Sequence, residues 1–249
     1  MPMTPSLRVR AVNTATDSEN QIHDDSVAAE YGFRGGLVPG VTIYGYLAAA
    51  VIGHFGPKWL NCGALDVRFF EPFYEGEEVA VSITGLPEGR IKIEAGSRAS
   101  GTAWLDNVID DAAQPAAHSA SKQEASRETM QPGKLLGTLE KTLDLSHPGV
   151  SAPLDAFIGP ERFAHPAIIL GLANELLMYN YCLGPWIHAS SEARNAKPAR
   201  DGERLEVRGA IADAFERKGH EFVILDVAIL SAGDLVSRIR HTAIWKPAK

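Results

Sequence analysis

Cysteine is scarce in this chain. Of 249 residues only Cys62 and Cys182 are cysteines, far apart and without a CxxC pair. That excludes a disulfide framework, and the two thiols read as reduced groups of a cytoplasmic protein. Metal-ligand spacing is missing as well: the sequence has no HxxxH and no HExxH, so no metal or other cofactor is expected. Positive charge is in deficit. The formal net charge is −7 and no basic stripe occurs, which excludes a dominant nucleic-acid footprint. An acidic ligand such as coenzyme A remains compatible, because it needs only a few local Arg or Lys side chains. Two catalytic signatures are also absent. No GxSxG elbow occurs, and "YGFRGG" (31–36) lacks the Lys-Ser/Thr of a phosphate loop.

No uninterrupted membrane-length apolar run is present. The longest apolar stretch, "LVPGVTIYGYLAAAVIGHFG" (37–56), is broken by Pro39, several glycines and His54. It predicts a buried helix rather than a membrane span. The leading "MPMTPSLRVRAVN" contains no apolar signal core, so no secretory segment is expected there.

What is present is ordinary globular material, 45% apolar and 22% charged. It is enough for a sizeable core in one large or two small domains. The chain also carries an internal repeat. An offset of 126 residues places Gly45 on Gly171, Pro72 on Pro198 and Gly76 on Gly202. It also sets Ile43 on Ile169, Val51 on Leu177, Val79 on Leu205 and Val81 on Val207. Each copy reads as an apolar helix (about 41–55 and 166–182) followed by strands. The first copy has strands at 65–72, 78–84 and 90–95, with "GLPEGR" (85–90) as a hairpin turn. The second has strands at 204–213, 220–230 and 235–245. Period-2 alternation with β-branched residues predicts antiparallel pairing. Residues 111–133 are rich in Ala, Ser, Gln and Pro and read as an exposed linker. The expected division is therefore 1–110, 111–133 and 134–249. The expected class is α+β, with each apolar helix wrapped by a curved sheet.

One polar segment stands out. "TDSENQIHDD" (16–25) gathers Asp17, Glu19, Asn20, Asp24 and Asp25 around His23. Histidine exchanges protons near neutral pH, and a neighbouring carboxylate or carboxamide can orient it. Asp25 reads as the N-cap of "SVAAEYG" and Asp24 as solvated.

With its downstream context the segment becomes "DSENQIHDDSVAAEYGFRGGLVPGV". This resembles the motif of MaoC-like proteins and (R)-specific enoyl-CoA hydratases, of the type G-D-x-N-P-[IL]-H-x-D, then G-F, then A-H-G at the start of a central helix. Asn20, Ile22, His23, Asp25, Gly32, Phe33 and Gly40 fall where that pattern expects them, within one residue. The resemblance implies a double hotdog fold. It also implies hydration of an enoyl thioester or dehydration of a 3-hydroxyacyl thioester, with an acyl-CoA or acyl-carrier substrate. In that reading His23 carries the proton, Asn20 holds water or substrate, and Gly40 supplies a backbone N–H to the thioester oxygen. Three departures mark this chain. Ser18 stands at the aspartate position with Asp17 one residue earlier, so either could position water. Gln21 replaces the motif proline, and Pro39 replaces the histidine of A-H-G. In the second copy His165 is retained in "RFAHPAII", but the N-x-x-H loop is lost.

Further candidates follow. Arg34, Lys58 and Lys197 are possible phosphate contacts, and Tyr44 and Tyr46 are candidates for lining the acyl chain. His54 reads as a cap or packing residue, and His220 and His241 sit in strand patterns without an evident partner. Thioester hydrolysis on the same fold and non-catalytic acyl binding are the alternative functions. A monomer, with its two units imitating a dimer, and a homodimer of such chains are both compatible.

Overall fold

The structure, a computed structural model, describes residues 7–106, 113–146 and 163–248. Its centre is a pair of apolar helices, α2 (Gly40–Phe55) and, among the described helices, α4 (Pro166–Asn180). Helix α2 contains no Asp, Glu, Lys or Arg, its one basic residue is His54 in the last turn, and residues Thr42 to Ile52 are all buried. A helix that is apolar all round must be covered on every side, and here strands and α4 do so. Helix α4 starts cleanly because Pro166 occupies its first turn and the His165 ring accepts the Ala167 N–H at 3.1 Å. Both predicted helices are thus present. Among the described residues no helix is long and apolar enough to cross a membrane.

The predicted strands of the first half form β2 (Gly63–Phe69), β3 (Glu78–Gly85) and β4 (Ile91–Ala95), and they are joined by a strand that was not expected, β5 (Ala99–Leu105). The second half has β9 (Ile187–Asn195), β10 (Arg204–Arg217), β11 (His220–Ser231) and β12 (Asp234–Lys246). With β1 (Leu7–Arg10) and β7 (Leu139–Thr142) they make one ten-stranded sheet of order β1-β3-β4-β5-β2-β9-β12-β11-β10-β7. All of its pairings are antiparallel. The two halves share that sheet, because β2 pairs with β9 from Ala64↔Arg194 to Arg68↔Ser190. Strand β9 was not anticipated, although the 126-residue offset carries 63–69 onto 189–195.

Two expectations need correction. Part of the segment read as an exposed linker is packed: β6 (Gln123–Glu124) pairs in parallel with β8 (Tyr181–Cys182), and Met130 is fully buried. Helix α1 (Asp25–Glu30) is capped by Asp24, not by Asp25. The Asp24 carboxylate accepts from the Ser26 hydroxyl at 2.5 Å and from the Val27 and Ser26 N–H groups at 3.1 and 2.8 Å, and these bonds, the hydroxyl's first, hold its pKa below the usual range. Asp25 instead accepts the Gly36 N–H at 2.7 Å, tying α1 to the chain that enters α2.

Candidate active site

The segment 20–24 makes a short 3-10 turn (Gln21–His23) and then runs against residues 35–37. That contact requires glycine: a Cβ at Gly36 would lie 2.0 Å from the His23 carbonyl oxygen. The close approach lets Leu37 N–H bond Ile22 O at 3.2 Å and brings the Leu37 carbonyl to 2.6 Å from His23 Nδ1. A carbonyl only accepts, so Nδ1 carries the hydrogen and Nε2 is the basic nitrogen. Burial pushes the His23 pKa below its ordinary value, with the Leu37 carbonyl working the other way. His23 is therefore a neutral base of fixed tautomer at neutral pH.

His23 lines a cavity of about 340 Å³ between the two halves. The first half contributes Asn20, Gly40 and the aromatic rings of Phe33, Phe69 and Phe73. The second half contributes Asn174 of α4, Trp186 and, from β9, Ile187 and His188. The cavity meets the start of α2, where Pro39 gives no side-chain cap. The first-turn N–H groups of a helix lack intrahelical acceptors, so this end presents donors and positive potential. Phe70, 60% exposed, and the carboxylate of Glu71 stand at the rim.

Of the expected catalytic residues, His23, Asn20 and Gly40 come together here and Asp17 and Ser18 do not. Asp17 is exposed and does not line the cavity. Ser18 faces a separate surface cleft with Glu19 and Tyr179, and its Oγ accepts the Asn20 N–H at 3.1 Å. The turn sends both side chains outward, so no carboxylate from 16–20 reaches His23. Asn20 lines the cavity and also ties the two halves together. It is 4% exposed, its Oδ1 accepts Trp186 N–H at 3.1 Å and its Nδ2 donates to Trp186 O at 2.9 Å. The same Nδ2 lies 3.4 Å from His23 Nε2. Its amide is thus engaged by the Trp186 backbone and stands beside His23 at the cavity.

The expected substrate contacts also move. Tyr44 and Tyr46 are fully buried core residues, and Tyr46 Oη pairs with Val12 N–H and the Arg10 carbonyl. A helix apolar on all faces turns its tyrosines into the sheet as readily as into a cavity. Arg34 pairs with Glu77 and lies over the Tyr74 ring at 4.1 Å. Lys58 is exposed beside the short helix α3 (Trp59–Cys62), and Lys197 pairs with Asp234 at 3.1 Å. None of these three cations lines the cavity. His165 serves as the α4 cap, and His54 is exposed with its ring edge against Phe55. His220 does line the cavity, and its Nδ1 accepts Ala248 N–H at 2.9 Å.

One residue was missed altogether. His188 reaches the cavity beside Gly40, where a Cβ on the glycine would lie 2.6 Å from His188 Nδ1. Its Nε2 meets Ser191 Oγ at 2.7 Å, and the same Oγ meets His241 Nδ1 at 2.9 Å. His241 thus has a partner that its strand pattern did not disclose. The repeat offset was the available signal, since it marks 189–195 as the counterpart of β2. Among the described residues no cluster of His, Cys, Asp and Glu suited to a metal ion occurs.

Comparison with solved structures identifies the fold as the double hotdog. A protein of Chloroflexus aurantiacus J-10-fl described as a MaoC-domain dehydratase superposes with TM-score 0.69 at 10% identity, over 99% of this chain and 95% of that one. A conserved hypothetical protein of Mycobacterium tuberculosis with a double hotdog fold gives 0.66 at 14% identity, over 96% and 94%. A protein described as a MaoC-like dehydratase gives 0.56 at 14% identity, over 97% and 98%. Proteins described as an oleoyl thioesterase and a polyketide synthase dehydratase domain share the fold as well. No protein-family model and no curated protein matches the chain.

Proposed function

We propose that the cavity takes a short acyl thioester and adds water across its α,β double bond, or removes it in reverse. The observation that carries this reading is His23, a buried imidazole with Nδ1–H held by Leu37 and Nε2 left basic, in a cavity that begins at the N-terminus of α2. Nε2 takes a proton from water as the water oxygen bonds to the β-carbon. The π electrons move to the thioester oxygen, where the Gly40 N–H meets the developing charge. The His23 imidazolium then returns the same proton to the α-carbon. One imidazole closes this cycle, so no aspartate is needed to balance it. The reverse sequence dehydrates a 3-hydroxyacyl thioester. The aromatic and aliphatic lining suits an acyl chain, and about 340 Å³ lies at the small end of ligand-pocket volumes, which favours a short chain.

A second reading, acyl binding without chemistry, draws on one observation. Among the described residues Glu71 is the sole carboxylate lining the cavity, and it stands exposed at the rim. Crotonyl-CoA separates the readings. Loss of its conjugated absorbance without thiol release is the expected result. Thiol release points to a thioesterase, and binding with neither change points to a carrier.

A further inference from the structure

The proposed reaction leaves three linked side chains of the second half unused. His188 and Ser191 on β9 and His241 on β12 form a chain, Nε2 to Oγ at 2.7 Å and Oγ to Nδ1 at 2.9 Å. The two imidazole centroids are 4.5 Å apart. All three residues are buried; His188 is 7% exposed and His241 0%. Their outer nitrogens, His188 Nδ1 and His241 Nε2, have no hydrogen-bond partner. The first lines the cavity with its residue; the second does not.

We propose that His188 Nδ1–H and the Gly40 N–H form a two-donor cradle for the carbonyl oxygen of a bound acyl group, with Ser191 and His241 holding His188 in the donating tautomer. The inference rests on the reading that the cavity takes an acyl thioester.

Counting hydrogens supports the tautomer. The Ser191 hydroxyl has one hydrogen for two imidazole neighbours, so neutral rings allow two arrangements. In one, Ser191 donates to His241 Nδ1 and accepts from His188 Nε2–H. His188 Nδ1 is then bare, and His241 Nε2–H is an orphan donor in the core with nothing to reach. In the other, Ser191 donates to His188 Nε2 and accepts from His241 Nδ1–H. The orphan on His241 is then a bare lone pair, and the unsatisfied N–H is Nδ1–H of His188, the residue that lines the cavity. Either arrangement orphans one buried N–H; in the second it belongs to His188, the residue that lines the cavity and can meet a bound carbonyl, so the second arrangement is favoured.

The surroundings keep both rings neutral. Burial pushes His188 well below the ordinary histidine range. The neighbouring His241 adds to this, while the backbone at Ser190 works the other way. Burial takes His241 down to about 3. A neutral imidazole N–H is a competent electrophile for a carbonyl oxygen, as the site of triosephosphate isomerase illustrates. Gly40 completes the cradle, since any side chain there would occupy the space beside Nδ1. The second half, which lacks its own N-x-x-H loop, thereby supplies one of the two donors.

Two measurements on the full chain test this. The first is 15N NMR of histidine-labelled protein without ligand, which reads the tautomer and needs no variant. A protonated His188 Nδ1 with a bare Nε2 is expected; a bare Nδ1 overturns the proposal. The second is the infrared C=O stretch of 13C-carbonyl crotonyl-CoA bound to the protein. It should lie below its value in water, and move back up in His188→Phe and, by less, in Ser191→Ala, which removes the bridge without filling the core. With turnover, kcat should fall about 10²–10³-fold in His188→Phe while KM changes less than about threefold. An unchanged stretch in both variants overturns the cradle even when turnover continues. A lowered, His188-dependent stretch without turnover leaves the cradle standing and removes the hydratase reading. Failure of crotonyl-CoA to bind removes both.

Discussion

The Asn20 side chain and the Trp186 backbone, 166 residues apart, exchange two hydrogen bonds of 3.1 and 2.9 Å. The contact seals the motif loop of the first half to the second half at the cavity wall. Replacing Asn20 with Ala leaves a buried N–H and a buried C=O unsatisfied together. The expected loss is about 2–4 kcal/mol in urea denaturation. A loss below about 0.5 kcal/mol would show that the clasp is dispensable.

The proton carrier and the two candidates for positioning water separate sharply. His23→Ala should lower crotonyl-CoA hydration about 10²–10⁴-fold, the usual range for a general base. Asp17→Asn and Ser18→Ala should stay within about twofold, because neither side chain lines the cavity. Steady-state rates on the three variants decide the point, and a rate collapse in Asp17→Asn would return to Asp17 the role of positioning water.

Gly40 has no room for a side chain. A Cβ would fall 2.6 Å from His188 Nδ1 and 2.9 Å from its Cγ, on a ring wedged against Phe69 at 4.9 Å. Gly40→Ala should cost about 1–3 kcal/mol of stability through overpacking. Affinity for crotonyl-CoA should fall with it; calorimetry that finds unaltered binding would place the acyl group elsewhere.

The two adjacent core tyrosines should respond in opposite directions. Tyr44 Oη is buried without a hydrogen-bond partner, whereas Tyr46 Oη bonds Val12 N–H at 3.2 Å. Tyr44→Phe should leave stability unchanged or raise it by about 1 kcal/mol, since a desolvated hydroxyl is removed. Tyr46→Phe should lower it by about 1 kcal/mol. Thermal melts of both, alongside unchanged hydration rates, check the assignment of these side chains to the core.

Acid should weaken the fold before its carboxylates titrate. His23, His165, His188 and His241 all have pKa values lowered chiefly by burial, with His165 and His241 at about 3. In the unfolded chain they titrate near 6.5. Below that pH the unfolded state binds protons that the folded state refuses, so stability is full above about pH 7 and falls as pH drops towards the folded values. Between pH 7.5 and 5.5 each of the three strongly depressed histidines, His165, His188 and His241, removes about 1.4 kcal/mol, about 4 kcal/mol together. Urea midpoints at the two pH values measure this, and equal midpoints would mean the rings are not buried as described.

Much of the architecture was legible beforehand, because it depends on local periodicity. An apolar stretch interrupted by Pro39, glycines and His54 reads as a buried central helix, and alternation in 204–213, 220–230 and 235–245 reads as half-buried strands. The motif spacing likewise joined His23 to Gly40, since both lie on one short stretch of chain whose glycines permit a tight return. Side-chain direction was not legible. Whether Asp17 or Ser18 faced inward depended on a turn whose geometry no pattern encodes, and both turned out. Tyr44 and Tyr46 lie on a helix without a polar face, so hydropathy could not say which way they point. Asn20 with Trp186, and His188 with Ser191 and His241, lie on segments that meet through sheet pairing and packing. Sequence separation carries no trace of such a meeting, and only the closing of the two halves on one another brings it about.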